Sequence, residues 1–523
     1  MCGFFMIFTI CTKNMKKYIL AGSLFIFLTA LHCHAQQMKR PNIILFLVDD
    51  MGWQDCSVPF WTRPTEWNKR YHTPNMERLA AQGMKFTNAY ATPVCSPSRV
   101  SLMTGMNAAH HKVTNWTLKK DQSVDYKDSM LLSPDWNING MSPVPGIEHT
   151  VYATPLPLLL KEAGYYTIHC GKAHFGAMET PASDPLNIGF MVNIAGHAAG
   201  GPGSYLGEEN YGNKKGEQTD PWGVPGLKAY HGTDTFLTEA LTIEALKALE
   251  KPVSNGTPFF LYMAHYAVHI PYAADKRFIQ KYLDRGFPQK EAEYAALVEG
   301  MDKSLGDLMQ YLKDKKLESN TIILFMSDNG GFSMKPRSGT AFTQNAPLRS
   351  GKGSVYEGGI REPMLVKWPG VTRPGSVTDQ YVIIEDFFPT ITDMAGLKQY
   401  KTVQSIDGKS FTPVLKHPEQ MNTTRALTWF FPNKWIPEDG PGINYRAAIR
   451  KANWKLVYNM KTGTKELYDL AADIGEMKDI SKQYPAVVKD LSSQLSNRLR
   501  NWQAPMPSFK ATGKKVPMPD EIK

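Results

Sequence analysis

Short apolar runs that stop at acidic or small polar residues recur from about residue 40 to about residue 420. Residues 41–48 stop at Asp49-Asp50, and residues 321–326 at Ser327-Asp328-Asn329. Residues 165–170 lead into Gly171-Lys172-Ala173-His174, and residues 258–263 into the segment holding His269. Unbroken runs of this length suit strands buried on both faces, and helix-like segments lie between them. The alternation predicts an α/β fold, a large and mostly parallel sheet sandwiched by helices. Such sheets bind ligands beyond the carboxyl ends of their strands, so the polar groups that end these runs are expected to share one crevice.

The texture changes after about residue 420. Residues 426–431, 446–450, 454–458 and 466–469 read as short strands joined by turns, and 486–502 as a helix. A large domain over 36–420 is therefore expected to be followed by a smaller α+β subdomain of antiparallel strands and one helix over 421–503. The tail, 504–523, is rich in proline and lysine and is expected to be draped or disordered. Residues 106–151, with Trp116 and Trp136, and the glycine-rich 196–232 lack periodicity and read as long loops. The glycines at 196–203 lack a strand-to-helix phosphate fingerprint and receive no nucleotide role.

At the start, Lys16 and Lys17 precede an apolar run over 18–31 and then Cys33-His34-Ala35, the pattern of a signal peptide over 1–35 with Met15 as a second candidate start. The run is shorter than the roughly 20 residues that cross a bilayer, which favours cleavage over a stable membrane anchor. Export is expected, to the periplasm or beyond it to the medium or cell surface. The leader holds three lysines and no acidic residue, so the net charge of +10 falls to +7 on its removal. Lysines and arginines are scattered rather than gathered in a stripe with aromatics, which excludes a nucleic-acid partner and favours a polyanionic glycan. Only Cys56, Cys95 and Cys170 remain after the leader, too few for a disulfide framework.

A strand at 86–91 runs into Thr92-Pro93-Val94-Cys95-Ser96-Pro97-Ser98-Arg99, with Thr104-Gly105 further on. Ser96 as cap, Pro97 in the first turn and Gly105 at the end predict a short helix. Cys95 then sits at its positive end, where backbone donors favour an anion. Asp49, Asp50, Asp328 and Asn329 form an oxygen-only set that suits a hard cation, calcium ahead of magnesium, and not zinc.

Cys95-Ser96-Pro97-Ser98-Arg99 resembles the Cys-x-Pro-x-Arg signature of type I, formylglycine-dependent sulfatases, members of the alkaline phosphatase superfamily. The resemblance extends in family order through Asp49-Asp50-Met51-Gly52-Trp53, Gly164-Tyr165 to His174, Ser327 to Gly331, and Gly351-Lys352-Gly353 with Tyr356 to Arg361. Cys170, Ala173 and Met106 depart from the usual pattern without removing a charged group. The resemblance implies that a maturation enzyme oxidises Cys95 to formylglycine, whose hydrate is the nucleophile. It implies metal ligation by Asp49, Asp50, Cys95 once converted, Asp328 and Asn329. Arg99 would hold the nucleophile and its neighbours, and Lys172 and Lys352 would clamp the sulfate. His269 or Lys352 would protonate the leaving alcohol, and His174 would deprotonate the hydrate to expel sulfate. His269 is preferred over His265 because His269-Ile270-Pro271 matches the family's His-x-Pro arrangement.

These features point to an exported sulfatase acting on a sulfated carbohydrate. Thr114-Asn115-Trp116-Thr117 is similar to polysaccharide-degrading bacterial members, some of which remove 4-O-sulfate from galactose or N-acetylgalactosamine. His110, His111 and His197 are further candidates for substrate contact. The alternatives are a phosphonate or phosphate monoester hydrolase of the same superfamily and a non-catalytic glycan-binding relative.

Overall fold

The computed structural model describes residues 40–214, 221–333 and 344–522, so the leader read at 1–35 lies outside the described residues. The main sheet comprises β1 (Asn42–Val48), β2 (Met84–Tyr90), β3 (Tyr166–Gly171), β4 (Val192–Ile194), β5 (Phe259–Ala264), β6 (Thr321–Ser327), β7 (Arg361–Lys367), β8 (Ser376–Thr378) and β9 (Val382–Ile383). Their order is β8-β2-β7-β6-β1-β5-β3-β4, with β9 also pairing β2. Every pairing is parallel except those of β7, which runs against both β2 and β6.

The apolar runs are buried on both faces for the reason the pattern predicted. Along β1, Ile44, Phe46 and Val48 enter one core while Ile43, Leu45 and Leu47 enter the other. The helices Pro74–Gln82, Leu237–Ser254 and Gln289–Asp314 cover the first face. Leu156–Glu162, Phe387–Met394 and α1 (Cys95–Thr104) cover the second.

A separate antiparallel sheet, β10 (Leu427–Phe431), β11 (Arg446–Lys451), β12 (Trp454–Asn459) and β13 (Lys465–Asp469), follows in sequence order. One face packs Ile449, Leu456 and Leu467 against Leu491, Leu495 and Leu499 of α2 (Pro485–Asn501). The other packs Trp429 and Phe431 against Tyr90, Val94 and Ile360, and Trp429 Nε1 donates to the Ala91 carbonyl at 2.9 Å. This sheet therefore braces the chain just before Cys95. The tail docks rather than being disordered: Ser508–Phe509 pairs with Leu131–Leu132, and Met506 and Val516 are buried in the α2 core.

A buried ion cluster ties the two sheets together. Lys455 on β12 is wholly buried between Glu357 and Glu476, 2.8 Å from an oxygen of each. Replacing Lys455 by alanine leaves the buried Glu476 without its cation, while Glu357 keeps Arg361 at 3.1 Å, and should lower unfolding free energy by about 3–5 kcal/mol, read from the denaturant midpoint.

Candidate active site

Strand ends from distant parts of the chain converge on one edge of the main sheet. β1 stops at Val48, and Asp50 takes a left-handed backbone, φ +62°, which breaks the alternation that would send Asp49 and Asp50 to opposite faces. β6 delivers Asp328 and Asn329, β3 delivers Lys172 and His174, and β5 leads to His269. Because β7 is antiparallel, its start lies at the same edge, and the segment before it brings Lys352 there.

α1 begins at Cys95 itself. Its cap is the extended Val94, not Ser96, because Ser98 Oγ receives the Thr92 N–H at 3.0 Å and fastens the preceding turn. Ser96 lies inside the first turn, where its Oγ accepts the Thr117 N–H at 3.1 Å. Gly105 closes the helix at φ +70°, donating to the Ser101 carbonyl at 2.8 Å.

Cys95 and an oxygen each of Asp49 and Asp328 lie within 4.8 Å of one another, all buried. Lys172 Nζ donates to Asp49 Oδ2 at 2.7 Å, and Lys352 Nζ lies 2.6 Å from Asp50 Oδ1. Arg99 places its Nε 2.8 Å from Asp328 Oδ2 and its Nη1 2.8 Å from the Lys172 carbonyl. Asn329 Nδ2 donates to Asp50 Oδ1 at 2.8 Å. Asp49 Oδ1, Asp50 Oδ2 and Asn329 Oδ1 are buried without a hydrogen-bond partner among the described residues.

Burial, opposed by Lys172 and reinforced by Asp328 and Asp50, pushes the Asp49 carboxyl well above the usual range. Asp50 is equally buried, yet Lys352, His269 and Lys172 hold it below that range. Buried carboxylate and amide oxygens left without a partner are the donors a hard divalent cation takes. The set Asp49, Asp50, Asp328 and Asn329 therefore fits calcium or magnesium. Burial also pushes the Cys95 thiol up, against Lys172 and Lys352, so it is a neutral thiol and a weak nucleophile as it stands.

Above this cluster lies a cavity of about 270 Å³. Asp50, Cys95, His174, His269 and Lys352 line it, whereas Asp49, Lys172, Arg99, Asp328 and Asn329 sit behind its wall. Arg99 is held by Asp328 and the Lys172 carbonyl, and the Lys172 ammonium by Asp49. His174 Nε2 donates to the Thr117 carbonyl at 2.9 Å, which leaves Nδ1 as its lone-pair nitrogen. His269 Nδ1 donates to the Ile270 carbonyl at 2.6 Å, and its Nε2 stands 3.7 Å from Asp50 Oδ2. His265 lies in the core, with Nε2 on Ser304 Oγ at 2.9 Å. His110, His111 and His197 do not line the cavity: His111 is fully buried against Ser101, His110 pairs with Asp407, and His197 packs beside Tyr266.

Several residues escape a reading of the sequence. Trp222 and Trp435 come from two separate loops to wall the cavity beside Trp116, while Trp136 is a core residue that donates to Asp125. Gly353, at φ +85°, leaves the space that the Trp435 ring fills. Glu362 is buried behind the site with neither carboxylate oxygen paired among the described residues, and burial pushes it well up toward the neutral acid. The glycine cluster has a steric role: a Cβ on Gly200 would stand 2.7 Å from His174 Nδ1, and one on Gly201 2.9 Å from His269 Nδ1. Gly200→Ala should therefore displace the His174 ring and lower kcat about 100-fold with little change in melting temperature, since a misplacement near 1 Å costs about that much.

Comparison with known proteins follows the same lines. The family described as Sulfatase matches residues 41–397, and N-sulphoglucosamine sulphohydrolase, C-terminal, matches residues 351–504. A protein named Sulfatase from Formosa agariphila is 31% identical over 97% of this chain and 98% of its own length. The N-acetylgalactosamine-6-sulfatase of Homo sapiens is 33% identical over 85% of this chain and 82% of its own. Among solved structures, Ps i-CgsB in complex with k-i-k-neocarrahexaose superimposes with a TM-score of 0.70 at 27% identity, covering 89% of this chain and 94% of that one.

Proposed function

From the premise that this chain belongs to the sulfatase family, and is thus a sulfuric ester hydrolase acting on sulfated carbohydrates, we propose that it is an exported, calcium-dependent enzyme. Its substrate is a sulfate ester on a galactose-configured sugar, and its nucleophile is a hydrated formylglycine made from Cys95 by a maturation enzyme of the host. The observation that carries this reading is the position of Cys95 at the start of α1, beside Asp49 and Asp328 and open to the cavity that holds Lys352, His174 and His269.

Asp49, Asp50, Asp328 and Asn329 hold the cation, which would supply positive charge beside residue 95 and the sulfuryl group. The aldehyde hydrate supplies two geminal hydroxyls, one to attack sulfur and one to lose its proton as sulfate departs. The charge balance supports an anionic guest. Three carboxylates already face Arg99, Lys172 and Lys352, so a divalent cation leaves a surplus of two positive charges, one for the single charge of the sulfate ester and one for the charge that develops on its leaving oxygen. Lys352 stays charged because its burial is outweighed by Asp50 together with Cys95, Asp49 and Asp328, and it clamps the sulfuryl oxygens.

His174 is held well below the ordinary histidine range by burial and Lys172, so it is neutral and its Nδ1 takes the proton of the second hydroxyl. Burial and Lys352 hold His269 at about 3, and the negative charge of a bound sulfate ester raises it toward its role as proton donor to the leaving oxygen. Lys352 is the alternative donor. The relatives named N-acetylgalactosamine-6-sulfatase favour the 6-position, and the Thr114-Asn115-Trp116-Thr117 resemblance favours the 4-position; the two agree on the sugar.

Sulfate release in the presence of calcium, measured over 4-O- and 6-O-sulfated galactose, N-acetylgalactosamine and glucosamine, tests the proposal. Release from the galactose-configured sugars is expected. Turnover of only p-nitrophenyl phosphate or a phosphonate ester would move the chain to the phosphohydrolase alternative, and glycan binding without turnover would make it a non-catalytic relative.

A further inference from the structure

A second cavity, of about 300 Å³, adjoins the catalytic one, and Tyr126 lines both. The Tyr126 ring is 51% exposed although its backbone is fixed, its N–H donating to the Lys434 carbonyl at 2.9 Å. On one side of it, Asp125 receives Asn115 Nδ2 at 2.7 Å, Trp136 Nε1 at 3.1 Å and Asn433 Nδ2 at 2.9 Å. On the other, Asp128 binds Lys434 at 2.8 Å and Lys461 at 2.9 Å. The loop that presents the tyrosine is thus organised before any ligand arrives.

Lys127 and Lys510 line the second cavity and are in no ion pair among the described residues. Lys510 is brought there by the docked tail, its N–H donating to the Met130 carbonyl at 2.9 Å. Of the acidic groups of this cavity, Asp125 and Asp128 are engaged as above, and Asp135 is 90% exposed, 3.8 Å from His149. What a ligand meets is an aromatic face with two ammonium groups against one exposed carboxylate, at the mouth of a sulfate-cleaving site.

We propose that the second cavity binds the neighbouring anionic saccharide unit of a sulfated oligosaccharide, with Tyr126 stacking at the junction and Lys127 and Lys510 pairing with its sulfate or carboxylate. This rests on the reading of the enzyme as a carbohydrate sulfatase and deepens it. The enzyme is built for a chain, not a lone sulfated sugar.

The test compares kcat/KM on a monosaccharide sulfate with that on a hexasaccharide carrying the same sulfated residue, for wild type and for Lys127→Glu combined with Lys510→Glu. The wild type should prefer the hexasaccharide, and the preference should shrink as salt is raised. In the double variant the ratio of hexasaccharide to monosaccharide kcat/KM should fall about tenfold, two like-charge contacts replacing two favourable ones. Tyr126→Ala should lower the same ratio at unchanged melting temperature. A wild-type ratio near one, or a ratio that the charge reversals leave in place, would overturn the second site while the sulfatase reading stands. Release from neither substrate would overturn the reading beneath it, and this inference with it.

Discussion

Cys95→Ala should abolish sulfate release, by about 10⁵-fold or more, while leaving the fold intact. The loss of a covalent nucleophile has an effect of that size because no neighbouring group takes over its bond to the reacting atom. The thiol is 4% exposed and packed at the first position of α1, so truncation removes one small buried group from a site whose carboxylates and cations remain paired. An aldehyde-reactive hydrazide should label wild-type enzyme from a host that has the maturation enzyme and should not label the variant. Active enzyme whose residue 95 is still a thiol would contradict the mechanism, since burial keeps that thiol neutral.

Asp328→Asn should have the second largest effect, and on two properties together. Asp328 is the carboxylate on which Arg99 Nε and Nη2 both close at 2.8 Å, and both side chains are wholly buried. Removing its charge leaves a buried guanidinium without its counterion, which should lower stability by about 3–5 kcal/mol. It also deletes a proposed calcium ligand. Wild type should gain about 2.7 kcal/mol when calcium reaches about 100 times its dissociation constant. The variant should gain little, and its activity should fall more than about 10³-fold. Thermal melts with and without calcium separate the two effects: equal calcium-dependent shifts in both proteins would remove Asp328 from the metal site.

The strands were legible because burial on both sheet faces leaves no room for polar residues, so β1 and β6 stand out as unbroken apolar runs. Where those runs stop is where the chain leaves the core, and so the residues at 49, 50, 328 and 329 could be picked out beforehand. The reversed strand β7 was not legible, since an apolar run carries no direction; yet that reversal brings Lys352 to the site. Trp222, Trp435, Gly200 and Gly201 lie on segments without periodicity, and their roles depend on which ring they meet in space. A glycine that exists to leave room for a histidine looks, in sequence, like any loop glycine. Trp136 shows the converse, a loop tryptophan that belongs to the core. The cap of α1 was misread because a serine, a proline and a second serine in a row offer two ways to start a helix, and the Thr92–Ser98 contact chooses between them.

A crystal structure of the matured enzyme grown with calcium tests the central claim most directly. One ion should lie at about 2.3–2.6 Å from oxygens of Asp49, Asp50, Asp328 and Asn329, with an oxygen in place of sulfur at residue 95 turned toward it. An ion bound elsewhere, or a second metal in the same crevice with sulfur retained at residue 95, would contradict the account.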